Sequence, residues 1–237
     1  MKKALIVYGG WEGHQPAEVA NLLRDALLGE GFSVRCSDSL DAFCDLEALR
    51  QLDLIVPIWT MGTIRPDQLG PLLAAVRDGV GIAGCHGGMC DAFRSETEYH
   101  FMTGGQWVAH PGGDGRHYWV NIVHRNPITE GIADFDVRTE QYYMHVDPAI
   151  RVLATTAFED YDNVVMPVVW TKTYGRGRVF YCSLGHQASI VAMPPVLRMM
   201  TRGMRWAAGE WETRLGLTFG QLYGAQPLNR TASNDER

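Results

Sequence analysis

Val80-Gly81-Ile82-Ala83-Gly84-Cys85-His86-Gly87-Gly88 decides how the chain reads: an apolar run, then small residues crowded around one Cys-His pair. A strand that turns sharply into a helix and presents one reactive side chain at the bend needs such a composition, because glycines relieve the crowding. The stretch predicts a strand over 80–84 and an elbow after it. The register is open. With Cys85 at the tip the flanking small residues are Ala83 and Gly87; with His86 they are Gly84 and Gly88, a cleaner small-x-His-x-small frame. A thiol there points to acyl-enzyme chemistry; an imidazole points to acid/base work, metal ligation or a hydrogen-bond post.

Upstream, Ala4 to Tyr8 is a short continuous apolar run ending in Gly9-Gly10, as in a buried parallel strand that feeds a glycine loop. Pro16 opens a helical pattern with Val19, Leu22, Leu23, Ala26 and Leu27 on one face, closed by Gly29 and Gly31. Phe32 to Cys36 and Leu54 to Ile58 read as strands, Leu46 to Leu52 and Pro66 to Asp78 as helices. Strand and helix thus alternate up to the elbow, the pattern of an α/β fold whose parallel sheet is covered on both faces. Ligands in such folds bind beyond the carboxyl ends of the strands, which directs attention to the loops 9–15, 59–64 and 84–90.

Residues 96–117, rich in Gly, His and aromatics, read as an insertion folded over the sheet edge rather than a core element. Strand-like runs follow at Tyr118 to Val123, Phe135 to Thr139, Val152 to Thr155, Val164 to Thr171 and Arg178 to Cys182, then a helix from about Pro194 to Ala208. At 237 residues one domain over 1–210 is expected, with a C-terminal extension over 211–237 that is polar and frayed from about 226.

A net charge of −6 with dispersed Lys and Arg supplies no stripe for nucleic acid. No apolar run is long enough to span a bilayer, and Lys2-Lys3 precede a run too short for a signal peptide. Five irregularly spaced cysteines without a Cys-x-x-Cys suggest reduced thiols, hence a cytoplasmic protein; Cys36, Cys44 and Cys182 read as small core fillers.

Five of the eight histidines, His14, His86, His110, His145 and His186, fall at predicted strand ends or in the insertion. In a parallel sheet His14, His86 and His186 would share one rim. Glu140 follows a predicted strand and, with His145, could add a carboxylate and an imidazole, either raising histidine basicity or completing a metal site assembled from distant segments. Zinc would suit the imidazoles best, drawn from His14, His86, His110 and His145. Trp59, Trp107, Trp119, Tyr142 and Tyr143 are candidate platforms for sugar rings.

The elbow, the first-strand loop ending in His14, Gly104-Gly105-Gln106-Trp107-Val108-Ala109-His110-Pro111, Asn126-Pro127-Ile128-Thr129-Glu130-Gly131, the Glu140 to His145 run and Gly175-Arg176-Gly177 leading to Gly185-His186 together resemble the trehalose-utilisation (ThuA-like) family. That family is a branch of the class I glutamine amidotransferase-like, three-layer α/β/α flavodoxin-like proteins with a mostly parallel central sheet. The resemblance runs from about Lys3 to Ala208 and implies a role in breaking down trehalose-like disaccharides or their keto forms. True amidotransferases pair an elbow Cys with a His-x-Glu segment; here the matching segment is His186-Gln187-Ala188, without the carboxylate.

The expected protein binds a small sugar or polyol, with His86, His186 and Glu140 as catalytic groups and His14, Trp59, Trp107, His110, Tyr143 and His145 around the substrate. Hydrolase- or lyase-type chemistry, a cysteine hydrolase or amidotransferase using Cys85 and His186, and a non-catalytic sugar-binding protein all stay open at this point, and a homodimer is the default assembly.

Overall fold

A computed structural model describes residues 1–211 and 214–223; the frayed tail expected from about 226 lies outside the described residues. The first half alternates as expected. It runs β1 (Lys3–Gly10), α1 (Pro16–Gly29), β2 (Ser33–Ser37), α2 (Leu46–Arg50), β3 (Leu54–Thr60), α3 (Pro66–Asp78), β4 (Gly81–Cys85) and α4 (Gly87–Cys90). Next come α5 (Thr97–Thr103), β5 (Gly105–Ala109), β6 (Arg116–Ile122), β7 (Phe135–Thr139), β8 (Tyr143–Val146), β9 (Arg151–Phe158), β10 (Val164–Tyr174), β11 (Gly177–Cys182), α6 (Ala188–Val191) and α7 (Pro194–Ala207). The described part of the extension forms β12 (Leu217–Thr218), which pairs with β9, and α8 (Phe219–Tyr223).

The main sheet runs β2-β1-β3-β4-β11-β10-β9-β6-β7. From β2 to β11 every pairing is parallel. The pleat explains why these strands read as unbroken apolar runs: in β1, Ala4 and Ile6 pack into the layer with α1 and α7, while Leu5 and Val7 enter the layer with α3. Each of the larger side chains so buried contributes about 1.5–3 kcal/mol from the removal of apolar surface from water.

Beyond β11 the pairings are antiparallel through β10, β9, β6 and β7. Four successive reversals bring β7 back to the direction of β11. The residue that follows β7, Glu140, therefore emerges at the same edge as the residues that follow β1, β4 and β11.

The insertion reading of 96–117 needs correction. Tyr99 and Met102 of α5 are fully buried in the α3 layer, and β5 pairs with β8, a strand the sequence did not suggest. A seven-residue helix carries too few turns for its apolar periodicity to stand out. Cys36 and Cys44 are exposed rather than core fillers, Cys36 because β2 is an edge strand; Cys182 is buried. Among the described residues no helix is long and apolar enough to cross a membrane.

Candidate functional site

The elbow places His86, not Cys85, at its tip. Cys85 continues the pleat of Ala83 and points into the α1/α7 layer, where burial pushes its thiol far above the ordinary range. His86 takes φ 50° and ψ −141°, a conformation that costs an L-residue about 1–3 kcal/mol. Three hydrogen bonds to its backbone offset that cost: its N–H donates to the Cys182 carbonyl at 2.7 Å, and its carbonyl accepts from the Tyr181 hydroxyl and the Cys90 N–H, each at 3.1 Å. Gly87 must be a glycine for a different reason: a β-carbon there would lie 2.7 Å from the His14 ring.

The imidazoles of His14, His86 and His186 converge on Glu140, and all four side chains are buried. Glu140 Oε2 lies 3.1 Å from His86 Nε2, 3.3 Å from His186 Nδ1 and 4.0 Å from His14 Nε2. His110 adds a contact of 3.7 Å to Oε1. The ring nitrogens that face away from Glu140 are engaged elsewhere: His86 Nδ1 with the Ser183 carbonyl and His14 Nδ1 with Thr60 Oγ1, both at 2.8 Å. His186 Nε2 faces Asp114 Oδ2 at 3.7 Å.

These partners fix the protonation pattern. To bond a carbonyl, His86 Nδ1 must carry a hydrogen, so a neutral His86 turns the lone pair of Nε2 toward an ionised carboxylate. Two acceptors 3.1 Å apart repel unless a proton or a cation lies between them. The buried Nδ1 of His186 makes no hydrogen bond despite its closeness to Glu140.

Burial, reinforced by the neighbouring His86 and His186 and opposed by Glu140, holds His14 down at about 3. Burial also lowers His86, against the pull of Glu140. His186 is raised, first by its contact with Glu140. Burial alone would raise the Glu140 carboxyl, but the contacts from His186 and His86 outweigh it and keep it well below the usual carboxylate range.

A tetrahedral zinc ion with ligands at about 2.0–2.2 Å separates them by roughly 3.3–3.5 Å. The separations between Glu140 and the three imidazoles bracket that spacing. Three imidazoles with one buried carboxylate, an unbonded ring nitrogen and two opposed lone pairs fit a divalent transition metal.

Above the cluster is a cavity of about 160 Å³ lined by Trp11, Met61, Asp91, Arg94, Trp107 and Tyr142 as well as His14, His110 and Glu140. Tyr142 stacks on His86 with ring centroids 3.9 Å apart, and the Arg94 guanidinium lies 4.7 Å over Trp107 while Asp91 holds it through two hydrogen bonds.

Of the residues singled out in the sequence, His14, His86, His110, Glu140, His186, Trp107 and Tyr142 are brought together here. Four are not. His145 is exposed on β8, where the pleat turns Met144 inward instead, and His110 touches only the other oxygen of Glu140, so of the four imidazoles expected to hold a metal His14 and His86 remain, joined by Glu140 and His186. Tyr143 packs on Phe158 and Tyr161, and its neighbour Tyr142 faces the cavity. Trp59 lies against Gly9 and Gly62, leaving Thr60 to meet His14. Trp119, also weighed as a platform, is exposed on β6. Trp11, Asp91, Arg94 and Asp114 were not anticipated; the glycine-flanked Trp11 beside His14 carried the best sequence signal among them.

Among solved structures the chain resembles a ThuA-like protein from Parabacteroides merdae at 19% identity, covering 90% of this chain and 92% of that one with a TM-score of 0.70. A ThuA-like protein from Bacteroides uniformis matches at 17% identity, 92% and 95% coverage and a TM-score of 0.74. A cytoplasmic protein from Salmonella typhimurium LT2 matches at 15% identity, 87% and 97% coverage and a TM-score of 0.62. No curated protein sequence matches. The family model described as ThuA, trehalose utilisation, matches residues 3–207. The chain therefore belongs to the ThuA trehalose-utilisation family, proteins related to carbohydrate use.

Proposed function

We propose that the protein binds a small sugar derivative, a trehalose-like disaccharide or a keto form of one, over the His14–His86–Glu140–His186 cluster and acts on it by metal-assisted acid/base chemistry. The observation that carries this reading is an imidazole in the elbow position, converging with two others on a buried carboxylate beneath an aromatic-lined cavity. The family's link to trehalose supports the substrate class. The reading takes the protein as cytoplasmic, as the Salmonella structure is described.

His14 Nε2, His86 Nε2, His186 Nδ1 and Glu140 Oε2 would hold the ion, zinc first among the candidates. When bound, such an ion supplies Lewis-acid polarisation of a substrate oxygen. The remaining work falls to the chain. Trp11, Trp107 and Tyr142 offer ring faces to the C–H faces of a sugar, and the Arg94–Asp91 pair holds the Trp107 platform in place. His86 and His186 each face an acidic or carbonyl oxygen at both ring nitrogens and serve as ligands. His110, partly exposed at the cavity, is placed to pass a proton between a substrate hydroxyl and water.

Glutamine amidotransfer does not suit this site. The thiol next to the tip is sealed in the core and protonated, and Ala188 stands where the base's carboxylate belongs.

Elemental analysis of protein purified without chelator or histidine tag should find about one equivalent of transition metal per chain; less than about a tenth would remove the metal from the reading. Across a panel of disaccharides and keto-sugars, Cys85→Ser should keep turnover and His86→Ala should lose it. The reverse result would restore the cysteine hydrolase. Binding without turnover by the wild type would identify a non-catalytic sugar-binding protein.

A further inference from the structure

We infer that Asp114 is the positioning carboxylate of His186, delivered by the 110–115 loop in place of the one the chain lacks at Ala188. In a His-x-Glu segment the acidic residue orients the imidazole from two positions downstream. Here that position is Ala188, the first residue of α6, whose methyl offers no oxygen to the ring and whose backbone N–H donates to Gln15 Oε1 at 3.0 Å. The ring of His186 is nevertheless flanked by carboxylates on both sides. Nδ1 faces Glu140 and Nε2 faces Asp114 Oδ2 at 3.7 Å.

The other two imidazoles set the precedent within the same cluster. Each turns one nitrogen toward Glu140 and gives the other to an outer oxygen, Thr60 Oγ1 for His14 and the Ser183 carbonyl for His86. Asp114 holds the corresponding place for the third, at 3.7 Å, an ion-pair distance rather than a hydrogen bond. It differs from the first two in being half-exposed and in coming from a loop rather than from the end of a parallel strand.

The loop is built for this approach. Gly112, Gly113 and Gly115 take φ of 92°, 64° and 85°, values that L side chains rarely adopt, and the Gly113 N–H closes a turn on the His110 carbonyl at 2.9 Å. Its root is tied by the Arg116–Asp160 ion pair at 2.6 Å. The same loop carries His110 to within 3.7 Å of the other oxygen of Glu140, so one short segment reaches both the central carboxylate and the third imidazole.

An outer carboxylate that accepts from the free ring N–H of a ligating histidine fixes the ring's orientation and raises its basicity as a ligand. This inference rests on the reading of the cluster as a metal site, and the experiment separates the two. Zinc affinity is measured by competition with a chromophoric chelator on full-length wild type, Asp114→Asn and Asp114→Glu, alongside the absorption of the cobalt-loaded proteins. Asp114→Asn should bind zinc about 10–100-fold more weakly and show an altered cobalt spectrum, whereas Asp114→Glu recovers most of the affinity. The thermal midpoints of the metal-free proteins should coincide.

Wild-type binding with no loss in Asp114→Asn would overturn the role of Asp114 and leave the metal site standing. Equal losses in Asp114→Asn and Asp114→Glu would assign the effect to loop shape and also overturn it. Failure of the wild type to bind zinc or cobalt would overturn the metal reading itself, and Asp114 with it.

Discussion

The two halves of the sheet are built differently and give the site different things. The parallel half, β2 to β11, has its central strands sealed on both faces, and the loops after β1, β4 and β11 each present one imidazole. The antiparallel half ends in β6 and β7, each with one wet face: Tyr118 and Val120 point inward while His117 and Trp119 are exposed. From this half comes the carboxylate, with Tyr142 and the Asp114 loop close by in sequence. Three imidazoles crowded together would bind a cation weakly without a negative charge among them; the reversal at β10 and the return of β7 bring that charge to their edge. The centre of the site is thus a seam between halves.

Breaking the seam at its charge should have the largest effect. Glu140→Gln preserves shape while removing the negative charge, and zinc affinity should fall by more than about 100-fold, beyond the range of an outer-shell loss. His14→Gln removes one donor from the parallel half, the one farthest from Glu140 Oε2 at 4.0 Å, and should cost less. A competition titration that ranks His14→Gln at or above Glu140→Gln would show that the imidazoles, not the carboxylate, organise the centre.

The same division governs what could be read from the sequence. Parallel strands advertise themselves as apolar runs ending in glycines, and a parallel sheet obliges the residues after its strands to share an edge, so His14, His86 and His186 could be grouped from their positions alone. No comparable rule says which loop of an antiparallel strand reaches that edge, because each reversal can turn it away. Glu140 was legible as a strand-end carboxylate. Its neighbours were ambiguous by one residue, and a pleat of period two makes one residue the difference between facing the cavity and facing away: hence Tyr142 rather than Tyr143, and Met144 inward with His145 outside. Asp114 left no signal because its contact depends on three glycine dihedrals. The register of the elbow, open in the sequence, closes once the pleat commits Cys85 with Ala83 to the core.

Stability should divide along the same line. Ile6 of β1 is fully buried, and Ile6→Ala should cost about 2–5 kcal/mol in urea unfolding. Trp119 of β6 is 54% exposed, and Trp119→Ala should fall within about 0.5 kcal/mol of the wild type. A large loss at Trp119 would mean that the outer face of the antiparallel half is covered by something, and so would sharpen the distinction by removing it.

Gly87→Ala tests how tightly the elbow is packed against the first strand's loop. Its φ is ordinary, so the penalty is steric: the new methyl would stand 2.7 Å from His14 Cε1 and 2.9 Å from Thr60 Cγ2. Overpacking of this kind costs about 1–3 kcal/mol, and the readier way to relieve it is to push the His14 ring off Thr60. Both unfolding and zinc affinity should therefore weaken. A variant that loses stability but keeps full affinity would show that His14 is not a ligand.

The smallest effect belongs to the exposed pair between β6 and β7. His117 Nε2 lies 3.0 Å from Asp136 Oδ2, and this hydrogen bond holds the Asp136 carboxyl below its usual 3.8. A carboxyl depressed by folding adds stability that is present above its unfolded pKa and is lost as pH falls through its folded value. His117→Gln should accordingly lower the urea midpoint slightly at pH 6, by less than any substitution above, and the difference from wild type should shrink as the pH is taken below about 4. A difference that persists undiminished at pH 2 would trace to the packing of the histidine ring rather than to its partner's charge, and the wet face of this half would then contribute to the fold as the sealed half does.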